Sequence, residues 1–108
     1  MLKFYVLSKT ISAGSQESDF FAPETPVHVK RIIINERGGT SLENVFVDID
    51  IQGSKITKQP VPASIFQKPW NELPPLEFDL GKGVKLNFTV KNNLTSDVSI
   101  DIIIAYEE

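Results

Sequence analysis

The sequence predicts an all-β protein, an antiparallel two-sheet sandwich of jelly-roll-like form with seven to nine short strands. Three observations carry that prediction. Apolar residues recur at every second position in several separate segments, which is the period of a half-buried strand. No stretch sustains helical spacing, and the segment that breaks the alternation, Lys58–Pro75, holds five of the seven prolines. Turn-forming clusters separate the alternating runs at the 8–12-residue spacing expected of sandwiches, about 8–12 residues per strand and turn.

In chain order, Leu2–Ser8 is aromatic and β-branched enough for a strand. Ala22-Pro-Glu-Thr-Pro26 then sets proline just before a second strand, Val27–Asn35. The parity of that strand is mixed: Val27, Val29 and Ile33 fall with Arg31, whereas Ile32 and Ile34 fall with His28 and Lys30, so a bulge near Lys30-Arg31 or burial on both faces is expected. Gly38-Gly39 turns the chain toward Glu43–Gln52, where Val45, Val47, Ile49 and Ile51 oppose Asp48, Asp50 and Gln52. Gly53-Ser54 predicts a tight turn into Lys55–Thr57. The long proline-rich connection follows, with one helical turn expected around Ala63–Gln67. Leu76–Leu80 reads as a short strand closed by a hairpin turn at Gly81-Lys-Gly83. The last two strands are Val84–Lys91 and Val98–Tyr106, which the turn-rich Asn92–Asp97 is expected to join as a hairpin.

The 108 residues suit one domain, 1–108, large enough for its own core. No cysteine is present, so disulfides and thiolate metal sites are excluded. Eleven basic against 14 acidic side chains, without a basic stripe, give no footprint for nucleic acid. The longest apolar run, Ile102–Tyr106, spans five residues, against roughly 20 for a membrane helix. The N-terminal residues lack a signal-peptide apolar region. Membrane insertion is therefore not expected, and the expected location is the virion if the source is viral, otherwise the cytoplasm.

Chemical constellations are sparse. Nucleophilic catalysis would have to use His28, the only histidine, which sits between Val27 and Val29 without a nucleophile-elbow sequence. A solvated strand histidine is the expectation. Asp48 and Asp50 share the polar side of one strand and, with Asp101 across the sheet, suggest an acidic pair or weak calcium site; a solvated polar face fits better without an Asp-rich loop. No catalytic residue, cofactor site or metal site is assigned, and an enzyme is not expected.

Binding is the stronger theme. Trp70, with Phe66 and Leu73, lies in the proline-rich connection, either as an aromatic for a sugar or a partner's pocket, or as a plug over a sheet edge or sandwich end. Ile32, Ile34, Phe46, Ile103 and Ala105 occupy positions that alternation assigns outward, a large apolar set for a small monomer. That set is expected to be covered either by Lys58–Pro75 or by another subunit, and the candidate interface is Ile32, Ile34, Phe46, Phe66, Trp70, Leu73 and Ile103.

Phe21–Asn35, then Val45–Gly53, then Leu80–Asn93 with a closing strand ending in Tyr106, together resemble the small β-sandwich and jelly-roll structural proteins of virions, of vertex, minor-capsid or spike-base type. The resemblance is one of cadence and covers about two-thirds of the chain. It implies a non-enzymatic structural module that self-assembles or docks onto a larger particle, with protein partners and a homo-oligomer expected. The alternative is a carbohydrate- or ligand-binding sandwich module using Trp70 and the Asp48/Asp50 face.

Overall fold

The computed structural model describes all residues, 1–108. Its strands are β1 (Leu2–Ile11), β2 (Gln16–Phe21), β3 (Val27–Glu36), β4 (Val45–Ile51), β5 (Ser54–Lys55), β6 (Val61–Pro62), β7 (Phe78–Leu80), β8 (Leu86–Asn92) and β9 (Val98–Glu107). The only helical pieces are two 3₁₀ turns, Ala63–Phe66 and Trp70–Glu72. No helix is long and apolar enough to cross a membrane.

All pairing is antiparallel. Sheet A has the order β1-β9-β3-β7, and sheet B the order β2-β8-β4-β5, with β6 also on β4. With β4, β5 and β6 taken together, the chain therefore alternates between the sheets from β1 to β9, which is the winding of a jelly roll. This corrects two sequence expectations. The last two long strands, β8 and β9, form no hairpin, because β8 belongs to sheet B and β9 to sheet A. Likewise Gly81–Gly83 carries the chain from sheet A to sheet B. A period of two fixes which face a residue occupies and leaves the neighbouring strand open, so both runs satisfy either arrangement.

The inner faces close one apolar core. Val45, Val47, Ile49, Leu86, Phe88, Val90, Ile100, Ile102 and Ile104 are buried as their parity requires, and Ile51 is half-buried at its margin. The bulge anticipated in β3 exists: the β3–β9 register shifts between Val29 and Arg31. Val29 before it, and Ile32 and Ile34 after it, therefore all point inward, and the last two are fully buried core residues. Their assignment to an outer interface is thus overturned, since the extra residue switches the inward parity.

The sheet crossings are held by buried polar groups. The Asn92 side-chain amide donates to the Ile11 carbonyl at 3.0 Å and the Ser96 carbonyl at 2.9 Å, while its oxygen accepts the Leu94 N–H at 2.9 Å. The buried Glu36 carboxylate accepts N–H groups from Gly38 (2.6 Å), Thr40 (3.0 Å) and Ser99 (3.0 Å), which holds it below the usual carboxylate range despite its burial. Gln52 and Gly53, both at positive φ (47° and 89°), make the two-residue turn between β4 and β5.

Candidate functional site: the outer face of sheet A

The two outer faces differ in chemistry. On sheet B, the rows across β2, β8 and β4 read Ser18–Thr89–Asp48, Phe20–Asn87–Asp50 and Gln16–Lys91–Phe46. Their polar groups partner one another. Asp48 accepts from Lys55 Nζ and Thr57 Oγ1, both at 2.6 Å, and these two contacts hold its carboxyl below the usual range. Asn87 donates to Asp50 at 2.7 Å. Phe46 is half-buried between Lys91 and Pro62.

On sheet A, the rows run across β1, β9 and β3. One is Val6–Ile103–Ile33 and the next Phe4–Ala105–Arg31. Phe4 and Val6 stay 55% and 51% exposed, Ile103 and Ile33 are half-buried, and Ala105 is screened between its larger row neighbours. This makes one contiguous apolar strip across three strands. A polar row bounds it on one side, where Ser8 donates to Asp101 at 2.7 Å and Arg37 donates to both Asp101 oxygens at 2.8 and 3.2 Å. Arg37 first, then Ser8, keep the Asp101 carboxyl below its ordinary range.

A charged cluster bounds the β3–β7 side. His28 meets Asp79 through Nδ1 at 2.7 Å and Glu77 through Nε2 at 3.0 Å, and both contacts, Asp79 first, raise its pKa above 6.5. Glu77 also faces Lys30 and Arg31 at 3.3 Å, and His28 with these two cations brings it down to about 2. Arg31 stands 5.9 Å from the Trp70 ring centre, so the connection's second 3₁₀ turn sits at the edge of the same face.

The expected site residues are therefore divided. Ile103 lies in the apolar strip and Trp70, 43% exposed, at its border. Phe46 is on the opposite outer face, so no one patch holds it with Ile103. Phe66 joins the core and Leu73 is buried, which removes both from an interface; the plug role falls to Phe66, with Ala63 beside it in the core. Gln67 fastens this turn, accepting the Leu42 N–H at 2.9 Å and donating to the Thr40 carbonyl at 2.8 Å. Asp101 lies on sheet A and is not across the sheet from Asp48 and Asp50 on sheet B, so the three do not share a site. Trp70 is likewise separated from the Asp48/Asp50 face.

Phe4, Val6 and Ile33 were missed by sequence reasoning. The signal in β1 was legible: Leu2, Phe4 and Val6 share one parity and Tyr5 and Leu7 share the other with Lys3, so Leu2–Leu7 is apolar on both sides but for Lys3. Ile33 was hidden by the bulge. Comparison of the chain with protein-family models, curated proteins and solved structures found no match.

Proposed function

We propose that this protein is a non-enzymatic structural module that assembles through the outer face of sheet A, as a virion component of the vertex, minor-capsid or spike-base kind. The observation that supports this most is the asymmetry of the two outer faces. Sheet B carries polar groups that partner one another around the single aromatics Phe20 and Phe46, whereas sheet A presents Phe4, Val6, Ile33 and Ile103 in adjacent rows. Apolar area of this kind, with a polar and charged rim, has the anatomy of a protein contact. The jelly-roll winding is used by capsid proteins and also by lectins, so the surface, and not the fold, carries the functional argument.

The mechanism is burial of the apolar rows at about 25 cal/mol per Å², with the Asp101–Arg37 and Glu77 clusters setting orientation at the rim. Ile103→Asp tests it, because an unpaired carboxylate at a desolvated contact is costly. Association lost with unchanged circular dichroism is the expected result; association unaffected by the substitution refutes the reading. The exposure of Trp70 favours a second reading, carbohydrate stacking on its indole. Quenching of Trp70 fluorescence by oligosaccharides, saturating with concentration, would support that reading instead.

A further inference from the structure

We propose that β1 pairs antiparallel with β1 of a second copy, about a two-fold axis at Tyr5, joining two four-stranded A sheets into one eight-stranded sheet. The proposal rests on the assembly reading above and names its partner. The four sheet edges are unlike. β7 has three residues, β5 and β6 two each with Pro62 in the latter, and β2, six residues long, carries Glu17 and Asp19 with one exposed aromatic, Phe20. Short length, proline and charge are the usual means of blocking a free edge. β1 has neither short length nor proline: it is ten residues long, without proline or glycine, its register with β9 runs unbroken from Leu2 to Ile11, and its only charges are Lys3 and Lys9.

Its far edge is open. Beyond β9, the only hydrogen bond to its backbone is that of the Asn92 amide to the Ile11 carbonyl. Its two lysines, the groups that would repel a second copy, are neutralised within the chain, Lys3 by Glu108 at 3.0 Å and Lys9 by Asp19 at 3.9 Å. Leu2, Phe4 and Val6 are exposed on the outer side of the strand, and Tyr5 on the inner side keeps 44% of its surface exposed although its ring packs on Phe21 of β2 at 4.9 Å. An outer-face contact covers only the first three; an edge contact borders both faces.

Charge and parity select the register. A two-fold axis normal to the sheet keeps outward residues outward, so it must pass through a residue of β1. Centred on Val6, it sets Lys3 opposite Lys9 of the second copy. Centred on Phe4, it shortens the paired run to Met1–Leu7, and centred on Leu7 it sets Phe4 and Val6 opposite Thr10 and Ser8 and calls on the Ile11 carbonyl that Asn92 occupies. Centred on Tyr5, it pairs Met1–Lys9, sets Phe4 opposite Val6 of the second copy, and opposes no two lysines. The strip Phe4, Val6, Ile33, Ile103, Ala105 then runs unbroken across both copies. The partner is thus the chain itself, by strand addition.

The absence of cysteine makes the test direct. Directly opposed Cα atoms in an antiparallel pair lie about 4.5–5.5 Å apart, inside the range of about 4.4–6.8 Å that a disulfide spans. Under mild oxidation Tyr5→Cys is expected to form a covalent dimer. Phe4→Cys and Val6→Cys are expected to cross-link when mixed and to form no covalent dimer separately. In the wild type, sedimentation should show a dimer with slowed amide exchange in β1. Val6→Lys, at an exposed position that the fold does not need, should raise the dimer dissociation constant at least about tenfold. Cross-linking of Val6→Cys alone would overturn the register. A wild type monomeric to about millimolar concentration would overturn the pairing. An association that Ile103→Asp abolishes, while Val6→Lys leaves it intact and no cysteine variant cross-links, would overturn the edge pairing and leave the assembly reading standing.

Discussion

Ile34→Ala and Ile33→Ala, compared side by side, test the bulge in β3 on which the division between core and surface depends. Ile34 is fully buried in an inner row with Ile102 of β9 and Leu7 of β1. Truncation removes three carbons at about 0.8 kcal/mol each, about 2.4 kcal/mol of transfer free energy. The cavity left between two tightly packed sheets raises the cost to about 3–4 kcal/mol. For a domain of this size, whose whole stability is about 5–15 kcal/mol, that is a large fraction. Ile33, half-buried on the outer face, loses fewer contacts and is expected to cost under about 1 kcal/mol. Urea unfolding at micromolar protein reads both. With a slope of about 1.5–2 kcal/mol per molar, the Ile34→Ala midpoint should fall by about 2 M and the Ile33→Ala midpoint by about 0.5 M or less. Equal shifts, or a larger shift for Ile33, would show that the inward parity does not switch at Lys30-Arg31.

Three further outcomes follow from the crossings and the rim. Glu36→Gln opposes an amide NH₂ to backbone N–H donors in a buried corner, and should destabilise by about 2–3 kcal/mol in the same unfolding assay. Gln52→Asn supplies the Asn-Gly pair that a two-residue turn with both φ values positive prefers, and should raise stability by a few tenths to about 1 kcal/mol, read by thermal midpoint. The His28–Glu77–Asp79 clamp between β3 and β7 should depend on pH. His28, raised above 6.5, contributes fully below that value and loses its contribution as pH rises through the raised pKa. Glu77, lowered from 4.5 to about 2, contributes above 4.5 and loses its contribution as pH falls toward about 2. The clamp is therefore strongest between about pH 4.5 and 6.5. An imidazole titration by NMR with its midpoint above 6.5, abolished in shift by Glu77→Gln and Asp79→Asn together, is the expected result.

The inner faces were legible from alternation alone, because burial on one side of a pleated strand imposes a period of two whatever the strand pairs with. That same indifference concealed the topology. Val84–Lys91 and Val98–Tyr106 read as neighbours, yet Asn92 and its three side-chain hydrogen bonds turn the chain from one sheet to the other. The mixed parity of Val27–Asn35 did announce the bulge, but not which half would be inward, so Ile32 and Ile34 were misplaced and Ile33 overlooked. Aromatic and leucine residues in the proline-rich connection carried no period at all. Only the folded chain separates Phe66, inserted beside Ala63 in the core, from Trp70, left against Arg31.

The central claim, assembly through the outer face of sheet A, is tested most directly by sedimentation of the wild type and Ile103→Asp across a concentration series. The account predicts that the wild type associates and that Ile103→Asp, folded with an unchanged far-ultraviolet spectrum, loses the contact through this face and sediments as a smaller species. Wild type and variant sedimenting identically at every concentration up to about millimolar would contradict it.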